Sequence, residues 1–174
     1  MDYRVTPRYK KDLRDFAEFL WDKIGYDPKS HVSLPVAQIL EEVMPLVDPE
    51  FSLEIIPDNE MDNGNLHGET IPSQHLIRLK ESVYDGMITG LGRDRMTIMH
   101  EIGHYLIHFH EELSLTKAVR ERTLEPWESA EWQAKRFAGE FLMPSSEIAW
   151  MTVDEITKTY GVSREAAKFQ KNNL

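Results

Sequence analysis

Two histidines and a glutamate stand in the stretch His100-Glu101-Ile102-Gly103-His104, and their types and spacing could hold and use a metal ion. On an α-helix, positions four apart lie one above the other, about 6 Å along the axis, so His100 and His104 can both turn a ring nitrogen toward one ion. Glu101 is turned by about 100° from His100 about that axis, poorly placed to join the pair as a ligand and well placed to hold and deprotonate a water. The chemistry this predicts is zinc-assisted hydrolysis of a peptide bond, with Glu101 as general base. The bland alternative is an exposed helix that happens to carry two histidines. Two features weigh against it. The neighbours Met96, Ile98, Met99, Ile102, Leu106 and Ile107 are apolar, which predicts a largely buried helix, where His and Glu are costly unless ligated or hydrogen-bonded. Gly103, worth about 1 kcal/mol less than Ala in a helix interior, predicts another backbone packed closely against it.

A catalytic zinc needs a third protein ligand and one open position. His108 is four residues beyond His104, yet on one continuous helix it lies about 12 Å along the axis from His100, too far for metal bonds of about 2 Å to bridge. His108 is therefore expected behind the ligands or as a structural histidine, not on the ion, and His110 on the surface or at the helix end. The next helical stretch offers Glu128, Glu131 and Glu140. Trp127, Ala130, Ala134, Phe137, Ala138, Phe141 and Leu142 form one apolar arc there, and Glu131 falls inside it; Glu128 lies beyond its edge and Glu140 on the far side. A carboxylate inside such an arc needs a compensating cation, and a divalent ion is a good one, with Arg136 as the alternative partner. Glu131 is the expected third ligand.

The segments HEIGHYLIH and EWQAKRFAGEFLMP, about 25 residues apart, resemble the ImmA/IrrE metallo-endopeptidases of bacteria and their mobile elements. The likeness is strong over residues 93 to 144 and general before them. It implies that His100 and His104 bind zinc, that Glu101 is the catalytic acid/base and that Glu131 is the third ligand. Lys135 stands where many relatives have Asn, beside the ligand and not one itself. The resemblance also implies a small cytoplasmic protein that cleaves a helix-turn-helix repressor and so releases phage, integrative-element or stress genes. The expected fold is α+β, a mainly helical zincin-like metallopeptidase domain with a small antiparallel sheet before the HExxH helix.

The elements that must position these residues are legible in the patterning. Leu13, Phe16, Ala17, Leu20 and Ile24 predict an amphipathic helix over Lys11 to Ile24, stopped by Gly25, and a second helix runs from near Pro35 to Pro45. Phe51, Leu53 and Ile55 alternate with polar residues, as do His75, Ile77 and Leu79 less strictly, with turn chemistry at Pro57 to Asn59 and Asp62 to Asn65 between. A small antiparallel sheet over residues 51 to 80 is the economical reading. Helices follow at roughly Arg93 to Glu111, Trp127 to Leu142 and Val153 to Lys171, the last broken at Gly161. The stretch from Glu112 to Pro126 is long for a loop, and such loops are often functional or mobile.

With 174 residues, 41% of them hydrophobic, the chain has the size of one ordinary domain. The expectation is a single metallopeptidase domain over residues 1 to 174, its catalytic core at about 51 to 150 and a C-terminal helical segment after it. No cysteine is present, which excludes disulfides, thiolate metal sites and a cysteine nucleophile. The first residues lack the apolar core of a secretory signal, and no apolar run is long enough to span a membrane. A cytoplasmic location fits. The net charge of −10 repels a phosphate backbone, so direct nucleic-acid binding is not expected.

Hydrolysis also needs a donor for the developing oxyanion, and His67, His75, Tyr84 and Tyr105 all qualify by type. An extended substrate could add to a sheet edge near His75 to Lys80. Two competing readings stand. Val153 to Ala167 looks like the first two helices of a helix-turn-helix, but its mixed charges give no basic face. Alternatively the protein is a non-proteolytic repressor-binding module with a structural zinc.

Overall fold

The computed structural model describes residues 2–61, 66–109, 111 and 124–174. The expected turn at Asp62 to Asn65, the helix-end position of His110 and most of the long loop after Glu111 lie outside the described residues.

Helix α1 (Lys10–Ile24) buries Leu13, Ala17 and Trp21 along one stripe. It begins where the Asp12 carboxylate accepts the Tyr9 backbone N–H at 2.7 Å. It ends at Gly25, whose φ of 70° is the left-handed conformation that glycine adopts without penalty. The second helical run does not stop at Pro45. It comprises α2 (Val36–Gln38), a π-helical turn (Ile39–Val43) and α3 (Met44–Val47). Pro45 has no N–H to offer and its ring would crowd the carbonyl four residues back. The wider turn, in which the Met44 N–H bonds the Ile39 carbonyl, takes up the strain and lets the helix run on.

Three strands follow: β1 (Ser52–Ile56), β2 (Gly68–Ile71) and β3 (Leu76–Lys80), in the order β1-β3-β2. The sheet is mixed, not purely antiparallel as expected. β1 pairs parallel with β3, Ser52 opposite Leu76, while β2 pairs antiparallel with β3, Gly68 opposite Leu79. The physical reason is the short β2, whose Gly-Glu-Thr-Ile carries little alternation. Once a third strand intervenes in the chain, β1 and β3 are no longer the arms of one hairpin and point the same way. β3 is therefore the central strand, and residues 76 to 80 offer no free edge.

After α4 (Glu81–Ile88) comes α5 (Gly92–His108), which carries the His-Glu-x-x-His stretch. A 3-10 turn (Pro126–Glu128) leads into α6 (Ala130–Leu142), capped by the Ser129 hydroxyl accepting the Trp132 N–H. α7 (Ser145–Ile148), α8 (Val153–Tyr160) and α9 (Arg164–Asn172) close the chain. The break between α8 and α9 falls at Gly161, as expected, with φ 62°.

The core lies around α5 and α6. Ile98, Met99, Ile102 and Tyr105 from α5 are buried with Phe137, Ala138, Phe141 and Leu142 from α6, each large apolar side chain contributing about 1.5–3 kcal/mol. Gly103 does serve a close approach: a Cβ there would stand 3.0 Å from a Phe137 ring carbon and 3.3 Å from the Ala134 carbonyl oxygen. α1 covers another side of α6, and β2 and β3 lie against α5. Ile156, Tyr160 and Val162 of the C-terminal pair are buried in the same core, while Phe169 stays 37% exposed. No helix among the described residues is long and apolar enough to cross a membrane.

Candidate metal centre

α5 splits its faces between two tasks. Ile98, Ile102 and Tyr105 point into the core, and the turn-by-turn row of His100, His104 and His108 borders a cavity of about 690 Å³. The opposite wall of the cavity is the start of α6, with Ala130 and Glu131, and part of its rim is β2, with Gly68, Glu69 and Thr70.

The structure brings His100, His104 and Glu131 together. The two Nε2 atoms are 3.0 Å apart. Glu131 places one oxygen 3.2 Å from Nε2 of His100 and the other 3.4 Å from Nε2 of His104. Among the described residues this is the one cluster of three His, Asp or Glu side chains whose donor atoms could hold a single metal ion. The imidazoles of His100 and His104 hold the Glu131 carboxyl well below the ordinary carboxylate range. The arc argument placed Glu131 on the side facing α5, and there it is, but at the first turn of α6, where the helix opens onto the cavity. Its side chain is 47% exposed. Arg136, the alternative partner, is far from it in role: its guanidinium donates to the Gln170 side chain and the Asn173 carbonyl at the other end of α6.

Glu101 is buried and lines the same cavity. Its Oε2 accepts from the Thr70 hydroxyl at 2.7 Å, and that hydroxyl also lies 3.0 Å from the Glu101 backbone carbonyl oxygen. β2 can come this near because residue 68 is glycine. Thr70 and Gly68 were missed at the sequence level, since a four-residue strand gives almost no periodic signal.

His108 sits behind His104, 1% exposed. Its Nδ1 is 3.3 Å from Nδ1 of His104, and its Nε2 is 3.1 Å from the Gln133 side-chain oxygen. Burial pushes its pKa down to about 4, so the ring is neutral.

Of the four candidate oxyanion donors, three are engaged elsewhere. Tyr84 donates to Glu41, Tyr105 donates to Asp48, and His75 meets Asp48 through Nδ1 at 2.6 Å. His67 alone lines the cavity, its Nε2 accepting from the Arg93 guanidinium at 2.7 Å. Tyr3 lines it too, a residue no sequence pattern singled out. Glu140 departs from expectation as well. It is buried, accepting from the Ser145 N–H at 3.0 Å and the Gln170 amide at 3.1 Å, with Arg14 at 3.4 Å. The side of α6 that carries Glu140 is therefore covered and not open to water. Lys135 lays its ammonium over the Phe169 ring, 4.2 Å from the centroid, and does not approach Glu131 through any charge pair.

The first residues of the chain run across the start of α6. The Ala130 N–H donates to the Tyr3 carbonyl at 3.0 Å, the Val5 N–H to Glu128 at 2.9 Å and the Arg8 N–H to Trp127 at 2.9 Å. The Asp2 carboxylate accepts the backbone N–H of Glu131 at 3.2 Å, a favourable place for a negative charge at a helix N-terminus.

Two histidines one turn apart on a helix, a carboxylate from the next helix and a small sheet along one rim define a zincin-like domain. Residues 89–170 match the peptidase family described as the IrrE N-terminal-like domain. The resemblance carried by the two motifs is thereby borne out. A solved Mycobacterium tuberculosis transcriptional regulator shares the fold, with a TM-score of 0.55 at 19% identity over 90% of this chain. This chain covers 45% of that one, so it spans less than half of that protein's length. No curated protein matches the chain.

Proposed function

We propose that this protein is a zinc-dependent endopeptidase, with His100, His104 and Glu131 as metal ligands and Glu101 as general base, and that its substrate is a helix-turn-helix transcriptional repressor. The triangle of donor atoms carries the reading. A tetrahedral zinc with bonds of about 2.0–2.1 Å separates its ligands by about 3.3 Å. The three separations here are 3.0, 3.2 and 3.4 Å. With the Glu131 carboxyl ionised, protons alone cannot make all three contacts favourable. If both Nε2 atoms are protonated they serve the carboxylate and oppose each other; if one is bare, its lone pair faces a carboxylate oxygen. A single cation among the three satisfies every contact.

The donor set also speaks to the type of site. Structural zinc is closed by four protein ligands, whereas catalytic zinc keeps one position open. Among the described residues the cluster has three members, which favours catalysis over a purely structural ion.

Zinc in such a site supplies a Lewis acid that polarises a carbonyl and acidifies water. Glu101 takes the proton of the attacking water and passes it to the leaving amine. Thr70 fixes the carboxylate for that task through Oε2. His67 and Tyr3, on the cavity wall, are the donors we assign to the developing oxyanion. An extended substrate would pair along the open side of β2, which is bonded on one side only among the described residues, and not along β3.

The repressor assignment is supported by the motif resemblance, and the fold is shared with a protein that is itself a transcriptional regulator. Its test is co-incubation of the zinc-loaded chain with candidate helix-turn-helix repressors, any encoded in a neighbouring gene first. Glu101→Gln should keep zinc and partner binding and lose cleavage by about 10²–10⁴-fold. Full relief of repression by that variant would instead support the non-proteolytic binding module.

A further inference from the structure

The pair α8 and α9, whose sequence looks like the start of a helix-turn-helix, has no basic face for DNA, and its place in the fold gives it other work. The turn between the two helices is seated on the first residue of α5, where Gly92 leaves room for the backbone of Val162 and Ser163. That seating brings Ser163 to the wall of the metal cavity. One turn further on, α9 closes a second cavity of about 370 Å³ against α6, with Ala166 and Phe169 from α9 and Gly139 and Met143 from the end of α6. Met96 and Lys135 border both cavities, so the second opens beside the first. Met96 stands about one turn before His100 on α5.

The two cavities differ in chemistry. The metal cavity is walled by groups that can bond a peptide backbone, among them His67, Thr70 and Arg93. The second is walled mainly by hydrocarbon. Its buried polar residue, Gln170, spends its amide elsewhere: the nitrogen donates to the Glu140 carboxylate at 3.1 Å and the Ser145 hydroxyl at 3.3 Å, and the oxygen accepts from Arg136 at 3.4 Å. A Cβ at Gly139 would stand 2.7 Å from that oxygen, so glycine lets α9 close down on α6. The charged residues of the wall, Lys135 and Glu165, are exposed, and Lys135 keeps its ammonium over the Phe169 ring. Phe169 is thus a large apolar side chain held in place and not spent on the core.

We infer that the second cavity takes the apolar side chain of a substrate residue beside the scissile bond, of leucine, methionine or phenylalanine type, and that Met96, Ala166 and Phe169 set this preference. The inference rests on the peptidase reading above and names a side chain that reading leaves open. A peptide lying extended across the metal cavity sends successive side chains to opposite faces, and the recess that begins at Met96 and Lys135 offers one of them an apolar wall. Such recesses discriminate by about 10- to 200-fold for a single methylene.

The first test is binding and needs neither zinc nor cleavage. The full chain is labelled with carbon-13 at the methionine methyls, and the Met96 and Met143 signals are assigned by replacing each with leucine. N-acetyl-leucinamide and N-acetyl-phenylalaninamide should shift these two signals saturably, and N-acetyl-alaninamide should not; no shift, or an equal response to all three, would overturn the inference. Ala166→Trp fills the cavity from α9 and should abolish the response while zinc affinity stays at the wild-type value. A folded Ala166→Trp chain that still takes up the leucine probe would count against it equally. The second test gives the zinc-loaded chain a proteome-derived peptide library and reads the new ends by mass spectrometry. One position near the cut should favour leucine, methionine and phenylalanine over alanine by at least about tenfold, and Ala166→Trp should turn that position toward alanine and serine. A wild-type profile blind to side-chain size, or an unchanged profile in the variant, would also overturn it. If the wild type cuts nothing while Met96 and Met143 still tell leucine from alanine, the proposed activity falls and the apolar side-chain site stands. An active peptidase whose Met96 and Met143 ignore the leucine probe would do the reverse.

Discussion

Gly68 matters for what it lacks. A Cβ there would stand 2.9 Å from Cγ of Glu101 and 2.9 Å from a Leu79 methyl. Its φ is not in the left-handed region, so the requirement is steric and not conformational. Overpacking of this kind costs about 1–3 kcal/mol. Gly68→Ala should therefore lower the melting temperature and, by pushing Glu101 aside, depress kcat far more than zinc affinity. Equal losses in both would argue that the strand merely supports the fold. At this scale the clustering of His100, His104 and Glu131 was legible because three side chains on two helices obey simple angular rules. What those rules missed was set by neighbours from elsewhere in the chain: Thr70 and Gly68 by strand β2, Gln133 by residues near the N-terminus, Glu140 by α9. A helical wheel assumes one covered face, and α6 has two.

The elements show the same division. α1, α5 and α6 announce themselves by periodicity and end signals, whereas the pairing direction of β1 and β3 depends on a third strand too short to read. Close contacts between elements make a graded prediction. At Gly92, the first residue of α5, a Cβ would lie 2.3 Å from the Val162 carbonyl carbon and 2.4 Å from the Ser163 nitrogen, backbone atoms with no rotamer to yield. At Gly103 the nearest atom is a Phe137 ring carbon at 3.0 Å, which can give by a few tenths of an ångström. Gly92→Ala should destabilise by about 3 kcal/mol or more and Gly103→Ala by about 1, by urea melts; the opposite order would refute this view of how the α8–α9 turn is seated.

A second element-scale test lies at Asp48, His75 and Tyr105, which tie the end of α3 to β3 and α5. The Tyr105 hydroxyl and the His75 ring hold the Asp48 carboxyl down to about 2, and Asp48 raises His75 above its ordinary 6.5. The His75 contribution is full below the unfolded imidazole's pKa and is lost as pH rises through the raised folded value. The Asp48 contribution is present above the unfolded 3.8 and is lost as pH falls toward 2. Both are complete between 3.8 and 6.5. His75→Asn removes the ring while suiting the φ of 54° at this position. The melting-temperature gap between wild type and this variant should be widest in that window and close on either side. A gap independent of pH would remove the charge pair from the explanation.

For the whole molecule, a zinc ion held by His100, His104 and Glu131, as proposed, would join α5 and α6, the two helices that make the centre of the core. A ligand that binds only the folded chain stabilises it by about 2.7 kcal/mol at 100 times its Kd, worth several degrees for a chain of this size. Chelation should lower the melting temperature of wild type and leave Glu131→Ala nearly unmoved; the same drop in both would place the ion elsewhere. The C-terminal helices belong to this unit too, since Ile156, Tyr160 and Val162 are spent on the core.

The strip of chain laid across the start of α6 bears on the order in which the molecule assembles. His100 and His104 ride on one helix that local bonds can build. Glu131 is seated by partners such as Asp2, 129 positions away, and Gln133 by Thr6, 127 positions away. Contacts so distant in sequence close late, because the chain entropy of the intervening loop must be lost first. Helix should therefore return before zinc affinity when the protein refolds, with a lag between the circular-dichroism signal and metal capture in stopped-flow traces. Simultaneous recovery would mean that the third ligand finds its place without the chain's beginning.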